Sequence, residues 1–280
     1  MTQDERSGLQ QLLDARYSDA PRLPEALATD DRLETMLARG SCRRFLDKPV
    51  PTELLDLISA AALAAPTKSD LQQRDIVLLR SADMRRRLAA LVPGQAWVAE
   101  APMLAVFCGN NRRQRLLHAW HGVPFANDHL DAFFNAATDA AIALGAFVAA
   151  AEALGLGCCP VSAIRNEARA VSDLLGLPEH VFPFAGLAIG YPANDPVIAK
   201  RLPLSVTCHT DRYSEDNLEA AVRSYDRDRA ATQPYGSQRF PKTFGESPDY
   251  AWSDDKVRQY SVPERADFGD FVRAKGFSLD

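Results

Sequence analysis

The chain has 280 residues, 46% of them hydrophobic and 25% charged, with a formal net charge of −5. That length holds one large domain or a compact domain with appendages, and the apolar share is enough for a sizeable core. The negative balance excludes a general nucleic-acid binder, which needs a basic face to displace counterions.

The N-terminus, Met1-Thr2-Gln3-Asp4-Glu5-Arg6, is polar and acidic, without a basic region leading into an apolar one. No apolar run reads as long enough to span a bilayer, so no membrane partner and a cytoplasmic location are expected. The cysteines, Cys42, Cys108, Cys158, Cys159 and Cys208, are odd in number and lack a CxxC spacing. They read as reduced, mostly buried thiols.

Residues 1–32 contain a helical pattern around Leu9 to Leu13 and then a connector punctuated by Pro21 and Pro24. Next comes Arg39-Gly40-Ser41-Cys42-Arg43-Arg44-Phe45. Guanidinium forks beside a hydroxyl suit a phosphate monoester or a carboxylate. In a helix Arg39 and Arg43 share one face and Arg44 points elsewhere. The alternative is a solvated basic turn that pairs with nearby acids.

Leu54, Leu55, Ile58, Ala61, Ala62 and Ala65 recur at helical spacing between Pro51 and Pro66. The polar loop Pro66–Gln73 follows, then a β-like segment Asp75–Leu79, a short basic helix over Met84–Leu91 and a turn at Pro93-Gly94-Gln95. Met103–Cys108 is wholly apolar and reads as a central strand. From Asn135 to Leu154 apolar and small residues cover nearly the whole helical circumference, which predicts burial on all sides, in the core or between subunits. Gly155 and Gly157 end that helix, and Cys158–Ile164 reads as extended. Asn166 is a suitable N-cap for a helix that carries Val171, Leu174 and Leu175 and stops at Gly176. Pro183–Ile189 is another apolar strand, and Lys200-Arg201 forms a second cationic cluster in a proline-bounded loop. Helices and strands mix without a βαβ rhythm or a GxGxxG, so an α+β sandwich is expected rather than a dinucleotide fold.

The series Arg39-x-Ser41-x-Arg43-x-Phe45, Ala65-Pro66-Thr67-x-Ser69-x-Leu71-Gln72, Gly94-Gln95, Gly155-Leu156-Gly157, Ile164-Arg165-Asn166, Leu187–Pro192 and Arg201-Leu202-Pro203 resembles the FMN-dependent nitroreductase family. The closest likeness is to its NADPH-linked, oxygen-insensitive nitroreductase and flavin reductase branch. The match runs from about residue 33 to about 213, and Tyr250–Asp254 to Gly276-Phe277 is similar to that branch's C-terminal arm. Residues 1–32 and the stretch 228–248 fall outside it. The implied organisation is an N-terminal extension over 1–32, an FMN-binding core over 33–215 and a C-terminal arm over 216–280. The implied fold is α+β, a three-layer α/β/α sandwich with a mostly antiparallel central sheet, in an intertwined homodimer.

By matching position, the resemblance assigns Arg39, Gly40, Ser41, Arg43, Lys200 and Arg201 to the FMN phosphate and ribityl oxygens. Thr67, Ser69 and Gln72 then come from the partner subunit, and Gln95 faces the polar edge of the flavin. Pro160, Val161, Ser162 and Ala163 line the isoalloxazine, with backbone N–H groups toward N5 and O4, where reduction raises basicity and negative charge. The branch commonly has two glycines where this chain has Ser162 and Ala163, and a lysine where it has Ala199, for which Lys200 stands in. Those side chains bear on substrate range more than on flavin binding. Arg239 and Lys242 are candidates for the 2′-phosphate of NADPH, although a solvated loop is the simpler reading.

Other features carry plainer readings. His118 and His121, with Asp128, His129 and Asp131 nearby, lack an HExxH or a second ligand pair, so a surface helix is expected and no metal. Cys158-Cys159 reads as inert packing thiols, Asp70 and Asp75 as capping or solvated acids, and at least one of Phe133 and Phe134 as core. The implied activity is FMN-dependent reduction of nitroaromatic, quinone or flavin acceptors by NADPH or NADH, in alternating half-reactions. The alternatives are a non-catalytic flavin-binding module, a dehalogenase or flavin-consuming enzyme on the same fold, and a metal-dependent hydrolase built on the histidines.

Overall fold

The computed structural model describes residues 3–24 and 31–280, so part of the proline-punctuated connector lies outside the described residues. The chain divides into two compact units. One joins Ser41–Pro196 to Arg265–Asp280, and the other joins the chain up to Gly40 to Val197–Glu264.

Helices α1 (Gln3–Arg16) and α2 (Asp31–Ala38) open the chain. The larger unit then runs through α3 (Thr52–Leu63), β1 (Arg74–Leu79), α4 (Ala82–Ala90), β2 (Met103–Asn110), α5 (Arg112–His121), α6 (Leu130–Ala153), β3 (Gly157–Val161), α7 (Ala168–Leu175) and β4 (Val181–Gly190). Short helix α8 (Leu204–Thr207), α9 (Leu218–Thr232), α10 (Pro241–Phe244) and α11 (Trp252–Tyr260) belong to the other unit, and α12 (Phe268–Ala274) returns to the first.

Four strands form one sheet in the order β1-β2-β4-β3, and every neighbouring pair is antiparallel. Every residue of β2 is buried, because it has a strand on each side and helices over each face. Its side chains alternate between two cores, as the period of a strand requires. Met103, Ala105 and Phe107 meet Leu55, Ile58 and Ala62 of α3 and Ala143 and Phe147 of α6. Leu104, Val106 and Cys108 meet Leu88 of α4, Val171 of α7 and Ile164. This unit is therefore the expected three-layer α/β/α sandwich, with a wholly antiparallel sheet.

Helix α6 begins earlier than its apolar pattern indicates, because the His129 side chain accepts the Asp131 N–H at 3.3 Å and caps the helix at Leu130. Ala136, Asp139, Ala140, Ala143, Phe147 and Ala151 are buried, while Phe134, Thr138, Ala141, Gly145 and Ala149 are exposed in the single chain. Within the single chain the core thus covers one face of the helix, and burial of the other face would have to come from between subunits. At 24 residues and mean hydropathy 1.5, α6 is also long and apolar enough to cross a bilayer, contrary to the sequence reading. Its packing on α3 and β2 makes it a core helix here.

Two local expectations are corrected. Ser162–Glu167 is a 3-10 helix rather than extended chain, and α7 starts after Glu167. Asn166 does not cap α7; its side-chain oxygen accepts a 2.7 Å bond from Arg265 Nε. The stop at Gly176 is as expected, with φ 63°.

In the other unit, buried Arg16 at the end of α1 donates to the carbonyls of Leu37, Arg39 and Ala199. Tyr225 of α9 packs edge-on against Trp252 of α11 with ring centroids 5.5 Å apart.

Candidate functional site

The basic stretch is not helical. Cys42 N–H donates to the Cys158 carbonyl at 3.0 Å, Leu46 N–H to Tyr191 at 2.9 Å, and Phe45 bridges Pro192. The chain from Ser41 is therefore pinned along β3 and the end of β4. Ser41 and Arg43 are exposed with buried Cys42 between them, so they share the outward side that helical spacing would not have given them. The Arg43 guanidinium lies 5.7 Å from the Trp97 ring centre. Arg44 is exposed too, and its carbonyl accepts from Ala193 N–H at 3.0 Å.

The loop between α3 and β1 is held by its main chain. Arg74, 4% exposed, donates to the carbonyls of Leu63, Ala65 and Pro66 at 2.7–2.9 Å. The Thr67 hydroxyl accepts from Gln72 N–H at 2.9 Å, and Arg113 donates to the Gln72 carbonyl at 2.6 Å. Ser69, Asp70 and Gln72 have φ of 48°, 57° and 51°, a region non-glycine residues rarely occupy. Ser69 and Gln72 are exposed and Thr67 is half-buried, so this stiff loop offers a hydroxyl and an amide outward.

At the end of β3, Pro160 and Ser162 are exposed, Val161 is buried and Ala163 half-buried. Ser162 opens the 3-10 helix, and the first N–H groups of a helical turn have no partner within it. Gln95 is half-buried at the start of a 3-10 turn over Ala96–Val98, two residues from the tryptophan under Arg43.

Arg39, Gly40, Lys200 and Arg201 belong to the other unit. The backbone around Lys200 is fixed from several sides: its N–H donates to the Gln233 side chain at 3.2 Å, and its carbonyl accepts from Tyr225 hydroxyl at 3.1 Å. Arg201 N–H donates to the Arg16 carbonyl at 2.8 Å, which leaves an exposed guanidinium. Lys200 and Arg201 help line a cavity of about 530 Å³ with Arg229, Arg239, Lys256, Tyr235 and Trp252. Its acid, Asp255, accepts from Arg239 Nε, the Tyr250 hydroxyl and Lys256 Nζ at 2.8–3.1 Å. Burial alone would raise that carboxyl's pKa, but these bonds outweigh it and hold the group below its usual range. Arg239 is thus paired with a buried aspartate rather than merely solvated as the simpler reading had it, while Lys242 is exposed.

Comparison with known proteins fits this arrangement. The profile described as "Nitroreductase family" matches residues 36–191, and "Nitroreductase family, C-terminal domain" matches 200–280. The chain belongs to the nitroreductase family. The C-terminal match takes in 228–248, which the motif series alone left outside. Among similar nitroreductase-family proteins, an "FMN reductase [NAD(P)H]" of Bacillus subtilis is 34% identical over 197 residues, covering 69% of this chain and 79% of that one. The "NADPH-flavin oxidoreductase" of Vibrio harveyi is 34% identical over 198 residues, 71% and 80% of the two chains. The solved structure of B. megaterium NfrA2 superposes with a TM-score of 0.82 at 30% identity, over 90% of this chain and 100% of that one.

The remaining polar clusters of this nitroreductase-family chain have structural partners. His118 Nδ1 lies 3.1 Å from the Pro124 carbonyl on surface helix α5, and His129 caps α6. Asp75 pairs with Arg113 at 2.7 Å, and Asp70 accepts from the Gln72 side chain at 3.0 Å. Cys158 and Cys159 are buried, outside any disulfide and on opposite sides of β3, and burial pushes Cys108 up to about 12. Phe133 joins Phe182 and Phe277 in an aromatic core, whereas Phe134 is 62% exposed. Sequence reasoning passed over Trp97 and Asp139, whose partners are remote in the chain, and Arg74, whose side chain reaches back to the preceding loop.

Proposed function

We infer that the chain is an FMN-dependent oxidoreductase that takes reducing equivalents from NAD(P)H and works as a homodimer. The observation that carries this reading is the pinned, outward-facing Ser41 and Arg43 in a chain that matches the family along both of its parts. The donor set fits FMN: a hydroxyl and guanidinium forks for a terminal phosphate, and the backbone N–H groups that open the 3-10 helix at Ser162 for a flavin's polar edge. Bound FMN supplies two-electron chemistry, accepting hydride from a reduced nicotinamide and reducing a nitroaromatic, quinone or flavin acceptor.

The protein's part is placement. Ser41 and Arg43, with Arg39, Gly40, Lys200 and Arg201, are assigned to the phosphate and ribityl oxygens. Pro160–Ala163 line the ring, with Ser162 and Ala163 narrowing the approach, and Gln95 faces its polar edge. Thr67, Ser69 and Gln72 serve the flavin of a second copy, which explains why they are held rigidly yet face outward. The exposed stripe of small residues on α6 is the surface on which two copies pack. The cation-lined cavity favours NADPH over NADH, since Arg229, Arg239 and Lys256 suit an extra phosphate. Free thiols throughout favour the cytoplasm.

The test is to identify the cofactor released from purified protein, then to measure steady-state turnover with NADPH and NADH across nitroaromatic, quinone and flavin acceptors. FMN release with NADPH-favoured turnover is expected. FAD alone, or no flavin uptake, would sink the reading, and FMN without turnover would establish the non-catalytic module instead.

A further inference from the structure

Asp139 stands in the middle of α6, fully buried, and its carboxylate makes no use of a cation among the described contacts. One oxygen accepts the Lys68 N–H at 3.1 Å and the other the Gln73 N–H at 2.8 Å. These two backbone donors bracket Ser69, Asp70 and Gln72, all at positive φ. Such conformations persist in non-glycine residues only when the surroundings over-determine them. Two divergent N–H groups need two acceptor atoms on one short, fixed side chain, and a carboxylate on a core helix provides them. An asparagine would accept one bond and present an N–H₂ to the other donor.

We propose that Asp139 is a positioning residue for flavin binding: from the core it fixes the shape of the loop that presents Thr67, Ser69 and Gln72. The inference rests on the reading that these side chains contact FMN. The loop's other ties are Arg74 on the carbonyls before it, Thr67 on Gln72 within it, Arg113 and Gln114 of α5 on the Gln72 and Leu71 carbonyls, and the Lys68 side chain on Asp131. Among the described residues, Asp139 alone accepts a backbone N–H from each end of the strained run, and it does so from a rigid helix. Its neighbours on the helix, Ala136, Ala140 and Ala143, are small and carry no polar group that can replace it.

The experiment compares Asp139→Asn, Gln72→Ala, Leu88→Ala and the wild type for FMN dissociation constant, the visible absorption and circular dichroism of the bound flavin, and Tm. Asp139→Asn is expected to weaken FMN binding about tenfold or more and to alter the flavin spectrum. Leu88→Ala, a core truncation on the opposite face of the sheet, is expected to lower Tm as much while leaving affinity and spectrum unchanged. Lys68→Pro deletes one of the two N–H donors without touching Asp139, and Lys68→Ala controls for its side chain. If Asp139→Asn fails to fold, that pair decides: the proposal requires weaker FMN binding for the proline variant only. Weakening by Gln72→Ala with wild-type affinity and spectrum in Asp139→Asn overturns the proposal and leaves the site reading intact. No effect of Gln72→Ala together with Ser69→Ala overturns the site reading, and the proposal with it.

Discussion

Arg43 and Arg44 are adjacent and both exposed, yet they stand in different surroundings. Arg43 shares its outward side with Ser41 and sits over Trp97, which holds the guanidinium near the Gln95 turn. Arg44 contributes through its main chain, whose carbonyl accepts from Ala193 N–H and the Cys42 thiol. Truncating the Arg44 side chain leaves those bonds in place. A charge-assisted bond to phosphate is worth about 1.5–3 kcal/mol, so Arg43→Ala should weaken FMN binding by roughly tenfold to a hundredfold. Arg44→Ala should bind FMN as the wild type does. Flavin titration of both variants, with far-ultraviolet circular dichroism to confirm folding, decides the matter; a larger loss at Arg44 would move the phosphate site off this edge.

The segment that carries Ser41 and Arg43 is seated by one close approach at the element level. A Cβ added at Gly157, the first residue of β3, would come within 2.6 Å of both Cβ and Sγ of Cys42. Gly157→Ala should therefore destabilise the fold by about 1–3 kcal/mol through overpacking and shed flavin, because the displaced chain bears the proposed phosphate ligands. Adding Cys42→Gly should restore much of both, as judged by Tm and flavin content. The elements themselves were legible where one period dominates: the continuous apolar run of β2, the i, i+3, i+4 rows of α3 and the glycine stop of α7. Local signals failed where tertiary contacts overrode them. Asn166 has the chemistry of a cap, but its oxygen is taken by Arg265, 99 residues on. The arginine stretch follows a sheet edge instead of the helix its spacing allows. Asp139 looks like one tolerated acid in an apolar helix, because its partners lie 66 and 71 residues away. The candidate site residues were assigned through the order of short motifs, which gives positions without revealing what holds them there.

For the molecule as a whole, the proposed homodimer requires that assembly complete the flavin site, and Gly145 allows this to be tested with effects of opposite sign. It lies on the exposed stripe of α6 with Phe134, Thr138, Ala141 and Ala149, and a Cβ built there meets nothing within 4 Å in the single chain. Considered alone, Gly145→Glu should be harmless or stabilising by up to about 1 kcal/mol, since glycine in a helix interior is less favourable than straight-chain residues. In a twofold dimer packed through this stripe, the same residue faces its own symmetry mate or the stripe around it, so each substitution is felt from both sides. A buried glutamate without a partner is costly there. Gly145→Glu should therefore dissociate the dimer at micromolar concentration, as read by sedimentation velocity, while helix content is kept. FMN affinity should fall with dissociation, because each flavin loses the Thr67, Ser69 and Gln72 loop of the other copy. A variant that remains dimeric with full flavin would place the interface elsewhere, and a monomer that retains FMN would show that one chain completes the site by itself.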